Sequence, residues 1–417
     1  METLACAGIA LPTTRRTLRV VGELWTGRRG DDNRQGGECW DVCFAPDESR
    51  LAWSAGYRQV VLIPWHRYKN CLSWQEENNE YSGDSRLSPP EQVRLDTNFL
   101  VTSMSFGTST PQQELEASTR RAYYTRVTCT RHLMLATGHN KGRIRIWDPH
   151  TGSLMLDLTD HTKAVTCLAF APDGSLRLAS GSEDGTVKVW DMTDDGNMFK
   201  TLRDHKRPVR NLAWSPNSSL LCTTGDKQKA LLWSTVDYTL LCRLCGHYND
   251  VLSCSFSPDG ATVATASSDT RVLVWDTCTG EWDTRVLVWD TCTGEWGSRV
   301  LVWDTCTGEW GTRVLVWDTC TGEWGYWRLS SGEESVESAR SSEEGDAMLT
   351  CAFSPLGGTL AVGHSSGSVV LFSAPAQVPS LLHLARMALR RSYGDVVSNR
   401  SFLLPYSLKP YLQYKHW

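Results

Sequence analysis

No segment of this chain approaches the ~20 consecutive apolar residues that a membrane-spanning helix needs, and its opening METLACAGIALPTTRR has no basic residue ahead of a short apolar run. A secretory leader starts with such a basic stretch. A cytoplasmic protein with the nucleus also open to it is therefore expected, with no membrane partner. Charge of one sign is not in excess either: 42 Lys and Arg against 47 Asp and Glu give a net charge of −5, with the signs interspersed. Those totals imply no field able to hold a nucleic-acid backbone, so the expected partners are proteins. Phosphate-cradling loops, paired carboxylates at catalytic spacing and a distinct Ser/His/Asp arrangement are all missing, and the 10 histidines mostly fall at repeat positions. No catalytic residues and no cofactor are expected.

Cysteine is plentiful, with 15 copies, but four of them (Cys278, Cys292, Cys306, Cys320) are one position repeated. Most others sit in β-like runs such as VTCLAF and VLSCSF. Cys242 and Cys245 form a lone C-x-x-C without a second pair at metal spacing, which favours half-buried strand thiols over a zinc site. No metal is expected.

With 417 residues, 41% of them hydrophobic, the chain can bury a large core. Three stretches share one plan: DHTKAVTCLAFAPDGSLRLASGSEDGTVKVWD (160–191), DHKRPVRNLAWSPNSSLLCTTGDKQKALLWS (204–234) and GHYNDVLSCSFSPDGATVATASSDTRVLVWD (246–276). Each has a Gly/Asp-His pair, an alternating apolar segment, a Pro-Asp/Asn turn, a second segment, a polar turn, and a third segment ending at Trp. That reads as three short strands joined by tight turns, with Gly174 and Gly260 supplying positive φ. Segments such as VKVW are apolar on both faces, so each small sheet is expected between two others.

These stretches resemble WD repeats, the blades of a β-propeller. The resemblance implies a buried hydrogen-bond network of His161, Ser180, Asp184 and Trp190, and another of His247, Thr265, Asp269 and Trp275. In the middle stretch Lys227 stands where the Asp is expected, which predicts an incomplete network. Weaker copies extend the series to six: 39–65, 101–107 joined to 132–148 across an insertion, and 349–373 with Phe372 at the Trp position. Residues 67–97 and 108–128 read as exposed loops.

DTRVLVWDTCTGEW (269–282) recurs in four near-identical copies of fourteen residues. Fourteen residues cannot make a blade of about forty. Strands near 271–275, 281–289, 295–303 and 309–317 joined by D-T-C-T-G turns could together form one four-stranded meander, giving seven blades. Identical strands specify register poorly, however. The acidic, serine-rich SSGEESVESARSSEEGD (330–346) reads as a solvated linker.

After the last blade the apolar period becomes helical. In VPSLLHLARMALRRS (378–392), Leu381, Leu384, Ala385, Ala388 and Leu389 share one helix face. The tail FLLPYSLKPYLQY (402–414) follows. Together they resemble a SOCS box, which implies Elongin B/C on the face of Leu381, Leu384, Ala385, Ala388 and Leu389. It also implies a cullin at Leu404, Pro405, Leu408, Tyr411 and Leu412. Ala385 stands where that family has Cys, and Leu403 where the cullin segment has its first Pro.

The expected fold is thus all-β, a seven-bladed WD-repeat propeller followed by a small α-helical SOCS box. Residues 1–30 are read as an N-terminal segment, 31–376 as the propeller (the tandem array at 269–324), and 377–417 as the box. This layout is similar to that of WD-repeat and SOCS-box proteins. It implies a substrate receptor in an Elongin B/C–cullin–RING ubiquitin ligase, with an unidentified target protein on the propeller. A scaffold whose C-terminal helix packs on its own propeller is the alternative.

Overall fold

Alternating apolar segments closed by Pro-Asp and Asp-Gly turns become short antiparallel strands in the computed structural model. It describes residues 16–24, 38–56, 58–65, 92–109, 133–256, 260, 262–268, 272–277, 313–317, 324–329, 348–354, 359–364 and 367–373. Strand β1 (Arg16–Leu24) precedes a first unit of β2 (Val42–Phe44), β3 (Arg50–Ser54), β4 (Gln59–Pro64) and β5 (Val93–Asp96). The second unit is β6 (Val101–Thr108), β7 (Leu133–His139), β8 (Arg143–Trp147) and β9 (Leu154–Thr159). The third is β10 (Val165–Phe170), β11 (Arg177–Ser182), β12 (Val187–Asp191) and β13 (Asn197–Leu202). Each is a meander of four strands in sequence order.

Next come β14 (Asn211–Trp214), β15 (Leu220–Ser234), β16 (Leu240–Phe256), β17 (Thr262–Ser267) and β18 (Val272–Asp276), in one sheet of five strands. Trp233 Nε1 donates to Thr223 Oγ1 at 2.9 Å, so β15 doubles back and supplies two strands of a unit. Strand β16 passes from one unit to the next: Leu240 to Cys245 pair along β15, and Val251 to Phe256 along β17. This sheet therefore holds the fourth and fifth units.

The remaining strands are β19 (Arg313–Trp317), β20 (Trp324–Leu329), β21 (Met348–Phe353), β22 (Thr359–His364) and β23 (Val369–Ser373). They share a sheet with β1 in the order β19-β20-β1-β23-β22-β21. Strand β1 runs antiparallel to β23, with Arg19 opposite Ser373 and Leu24 opposite Val369. An N-terminal strand thus completes the C-terminal unit. Residues 16–24, expected in an N-terminal segment outside the propeller, are part of its sheet.

First strands of successive units touch: β2 lies against β6 and β21, and β10 against β6 and β14. They wall the channel of a β-propeller, and six units are seen among the described residues. The core lies between neighbouring sheets. Ala179, Val187 and Val189 of the third unit pack with Leu212, Trp214 and Leu231 of the fourth. Leu51, Trp53 and Val61 of the first pack with Ala361, Val369 and Leu371 of the last. Val60, Val61, Leu62 and Ile63 on β4 are all buried, pointing to both faces of one strand. Each such side chain contributes roughly 1.5–3 kcal/mol, so sandwiched strands need apolar residues without alternation.

The two array strands among the described residues belong to different sheets. Val272–Asp276 pairs with β17 inside the fifth unit, and Arg313–Trp317 pairs with β20. The first is held there because Trp275 Nε1 reaches Thr265 Oγ1 at 2.7 Å, tying it to its own repeat. The array strands expected at 281–289 and 295–303 lie outside the described residues. Val93–Asp96, within the stretch read as a loop, is a fourth strand: Val60 faces Leu95, which is buried. Residues 330–346 and 377–417 lie outside the described residues.

Candidate functional site

One end of the propeller, here the upper end, carries the connections into each first strand and the turns between second and third strands. The lower end carries the other two sets of turns. Buried polar chains pin the upper end. In the third unit the Trp190 indole donates to Ser180 Oγ at 2.9 Å, Ser180 Oγ meets His161 Nε2 at 2.8 Å, and His161 Nδ1 meets Asp184 Oδ2 at 2.9 Å. Burial lowers the His161 pKa against the pull of Asp184, so the ring is neutral and donates from Nδ1 to the carboxylate. Burial pushes the Asp184 carboxyl up, but hydrogen bonds from Thr186 and His161 outweigh it and bring it to about 2. Every donor and acceptor in the chain is used, as burial demands.

The fifth unit repeats this with Trp275 and His247 both on Thr265 Oγ1, at 2.7 and 2.8 Å; Asp269 lies outside the described residues. In the fourth, Trp233 and His205 meet Thr223 Oγ1 at 2.9 and 2.7 Å. Here the network is incomplete as expected, since the buried His205 Nδ1 makes no hydrogen bond, but an acid is present one position earlier than the pattern places it. Asp226, one residue before Lys227, stands 3.6 Å from His205 Nδ1 and accepts from Lys206 N at 2.9 Å. The turn is built differently, with Gln228 at a φ of 67°, so counting positions from Thr223 misses the acid. The second unit was also missed: Trp147 Nε1 reaches Thr137 Oγ1 at 2.9 Å, but the histidine beside that hydroxyl is His139 of the same strand, at 3.0 Å. Burial, helped by Arg145, lowers His139 to about 4.

Around the channel, first strands are stitched by side chains. Thr166 Oγ1 donates to Val209 O at 2.6 Å, Thr102 Oγ1 to Val165 O, and Asn211 Nδ2 to Ser253 Oγ at 3.2 Å. Asp41 joins three units, accepting from its neighbour Val42 N, from Met104 N, and from the Thr350 hydroxyl at 3.3 Å. Burial raises its carboxyl to about 7 against those hydrogen bonds. Burial, with Asp41 nearby, likewise pushes the Cys39 thiol up to about 12, which makes it a poor nucleophile. Cys242 is half-buried as expected but Cys245 is exposed. No group of three or more His, Cys, Asp and Glu is placed to hold a metal ion among the described residues.

Aspartates recur in the turns. Lower-end turns repeatedly use Asp to accept a backbone N–H two residues on: Ser49 N to Asp47 at 3.0 Å, His150 N to Asp148 at 2.8 Å, Ser175 N to Asp173 at 2.9 Å, and Thr193 N to Asp191 at 2.8 Å. This turn chemistry places Asp47, Asp148, Asp173 and Asp191 at the lower end, Asp173 paired there with Arg177. The residues expected to meet Elongin (Leu381, Leu384, Ala385, Ala388, Leu389) and a cullin (Leu404, Pro405, Leu408, Tyr411, Leu412) lie outside the described residues.

Comparison with known proteins gives this geometry a lineage. The family model "WD domain, G-beta repeat" matches residues 152–191, 196–234 and 238–276, each running from the last strand of one unit through the first three of the next, so that the three matches take in the inner strands of the third, fourth and fifth units. "WD repeat and SOCS box-containing protein 1" of Mus musculus is 40% identical over 390 residues, covering 89% of this chain and 90% of the relative. The Homo sapiens protein of that name is 38% identical over 388 residues (90% and 91%), and that of Danio rerio 38% over 467 (95% and 96%). A likeness of that extent cannot rest on the blades alone, and the chain belongs to the family of WD repeat and SOCS box-containing proteins.

Proposed function

We propose that this protein is the substrate-recognition subunit of an Elongin B/C–cullin–RING ubiquitin ligase. The propeller holds a target protein, and residues 377–417 recruit the rest of the machine. The observation that carries this is the union of two modules in one chain: relatives named for a WD repeat and a SOCS box align over 89% of it. The described residues fit a receptor better than a catalyst, because the histidines are tied into blade networks. Tethering supplies the function, since a target held beside a charged conjugating enzyme reacts at high effective concentration. The setting proposed is the cytoplasm, with the nucleus open to it.

In this reading Leu381, Leu384, Ala385, Ala388 and Leu389 form the plug for Elongin, and Leu404, Pro405, Leu408, Tyr411 and Leu412 the cullin contact. Three buried leucines give roughly 5–8 kcal/mol of gross transfer energy, much of it offset by association costs. Leu381→Ala should weaken Elongin B/C binding roughly ten- to hundred-fold, read by co-purification and titration. If the intact protein fails to retain Elongin B/C while a control SOCS-box protein does, the chain is a scaffold and the ligase reading falls.

A further inference from the structure

We propose that the upper end of the propeller binds an acidic, extended segment of the target protein. The inference deepens the receptor reading and rests on it. Lys163, Lys206, Arg210 and Lys227 are exposed at that end and have no ion-pair partner among the described residues. They form one arc. A Cβ on Gly185, in the turn of the third unit, would meet the Arg207 carbonyl at 3.4 Å, and Arg210 N donates to Thr224 O at 2.8 Å. Lys227 sits opposite Asp250 at the start of the fifth unit.

The acids of the same region are already engaged. Asp160 faces Lys188, Asp204 faces Arg243, and Asp250 faces Arg207. Asp184 and Asp226 are held by His161 and His205. Glu183 is the exposed carboxylate left without an ion pair among the described residues of these turns. Among the described residues these four cations make no side-chain contact that the turns depend on, whereas aspartates such as Asp47, Asp148 and Asp191 hold their own turns. Tyr248, 69% exposed in the connection into the fifth unit and with its carbonyl accepting from Gln228 beside Lys227, adds apolar contact beside the charges. A short acidic segment stays within this face. A long polyanion would run on past this arc over a chain of net charge −5, toward the lower-end aspartates Asp47, Asp148 and Asp191.

The test uses the full chain, with Elongin B/C if retained, and a fluorescent glutamate-rich peptide. Its lysine-for-glutamate counterpart and a single-stranded oligonucleotide of matching charge serve as rival probes. The double variant Lys206→Glu with Arg210→Glu should weaken the glutamate peptide by about tenfold, and added salt should do the same. Lys200→Glu, at a side chain that reaches the lower-end Asp237 carbonyl, should leave it unchanged. The proposal falls if the double variant binds as before, if the lysine peptide binds equally, or if the oligonucleotide binds better. It also falls if the peptide binds only after the acidic side chains of 330–346 are neutralised, since the occupant is then this chain's own segment. Elongin B/C retention on the same preparation separates the two claims: losing it removes the receptor reading and leaves peptide binding measurable.

Discussion

A hydroxyl at the centre of each buried chain decides more than its size suggests. Ser180 Oγ accepts from Trp190 and meets His161, so Ser180→Ala strands an indole N–H and an imidazole nitrogen that are both buried. At roughly 1–3 kcal/mol for each unsatisfied group, the variant should lose about 2–4 kcal/mol, measured by denaturant midpoint, while Ser180→Thr keeps most of the stability. The carboxylates of the chains set an acid limit. Asp184 and Asp226 sit at about 2, below the ordinary 3.8, so the folded state binds fewer protons than the unfolded chain between those values. Their contribution is complete above about pH 4 and is lost as pH falls toward 2. Asp41 works in the opposite sense. Its carboxyl, raised by burial to about 7, holds a proton that the unfolded chain has released above 3.8. That contribution is complete below the unfolded value and is lost as pH rises to about 7. Thermal midpoints taken across this window should fall with pH for the native chain and stay flatter for Asp41→Asn.

Turns show why some elements were legible and others were not. Gly142 and Gly185 occupy the same place in successive units, with φ of 76° and 79°. Their surroundings differ: a Cβ on Gly142 would lie 2.3 Å from the His161 carbonyl, whereas on Gly185 the nearest atom is at 3.4 Å. Gly185→Ala should therefore cost about 1–2 kcal/mol of left-handed strain, and Gly142→Ala distinctly more, since backbone must move. The two thermal midpoints measured side by side check that order. Pro-Asp and Asp-Gly turns between apolar runs made the three inner strands of the central units readable, because each turn's chemistry is local. Strand β5 was read as loop because VRLD carries one buried side chain, Leu95, and its pairing with β4 spans a long connection. Asp226 was passed over because the blade pattern counts residues, while the network needs only a carboxylate near an imidazole. Strand β1 was missed for a related reason: nothing local in RTLRVVGEL says that its partner is more than three hundred residues away, at Val369–Ser373.

That distant pairing governs the molecule as a whole. Units arranged around a channel have an open seam unless the first and last are joined, and here β1 lies on β23 while β2 packs against β21. Leu24, buried at 1% exposure, shares a core with Trp53 of the first unit and Leu371 of the last. Asp41 adds a polar stitch across the same seam through Thr350. Removing residues 1–24 would expose the edge of β23, with its row of unpaired backbone groups, and uncover apolar surface of two units together. An unprotected edge is a template for pairing with another chain, so the loss should exceed that of a strand at the rim of an open sheet. The expected outcome for the truncated chain is a lower and broader thermal transition with self-association by size-exclusion chromatography. Adding a synthetic peptide of residues 16–24 should partly restore the midpoint, because the slot it fills is preformed by β23 and β20. Deleting one outer strand such as β13 leaves the seam closed and should lower stability without broadening the transition, which separates loss of closure from loss of a strand.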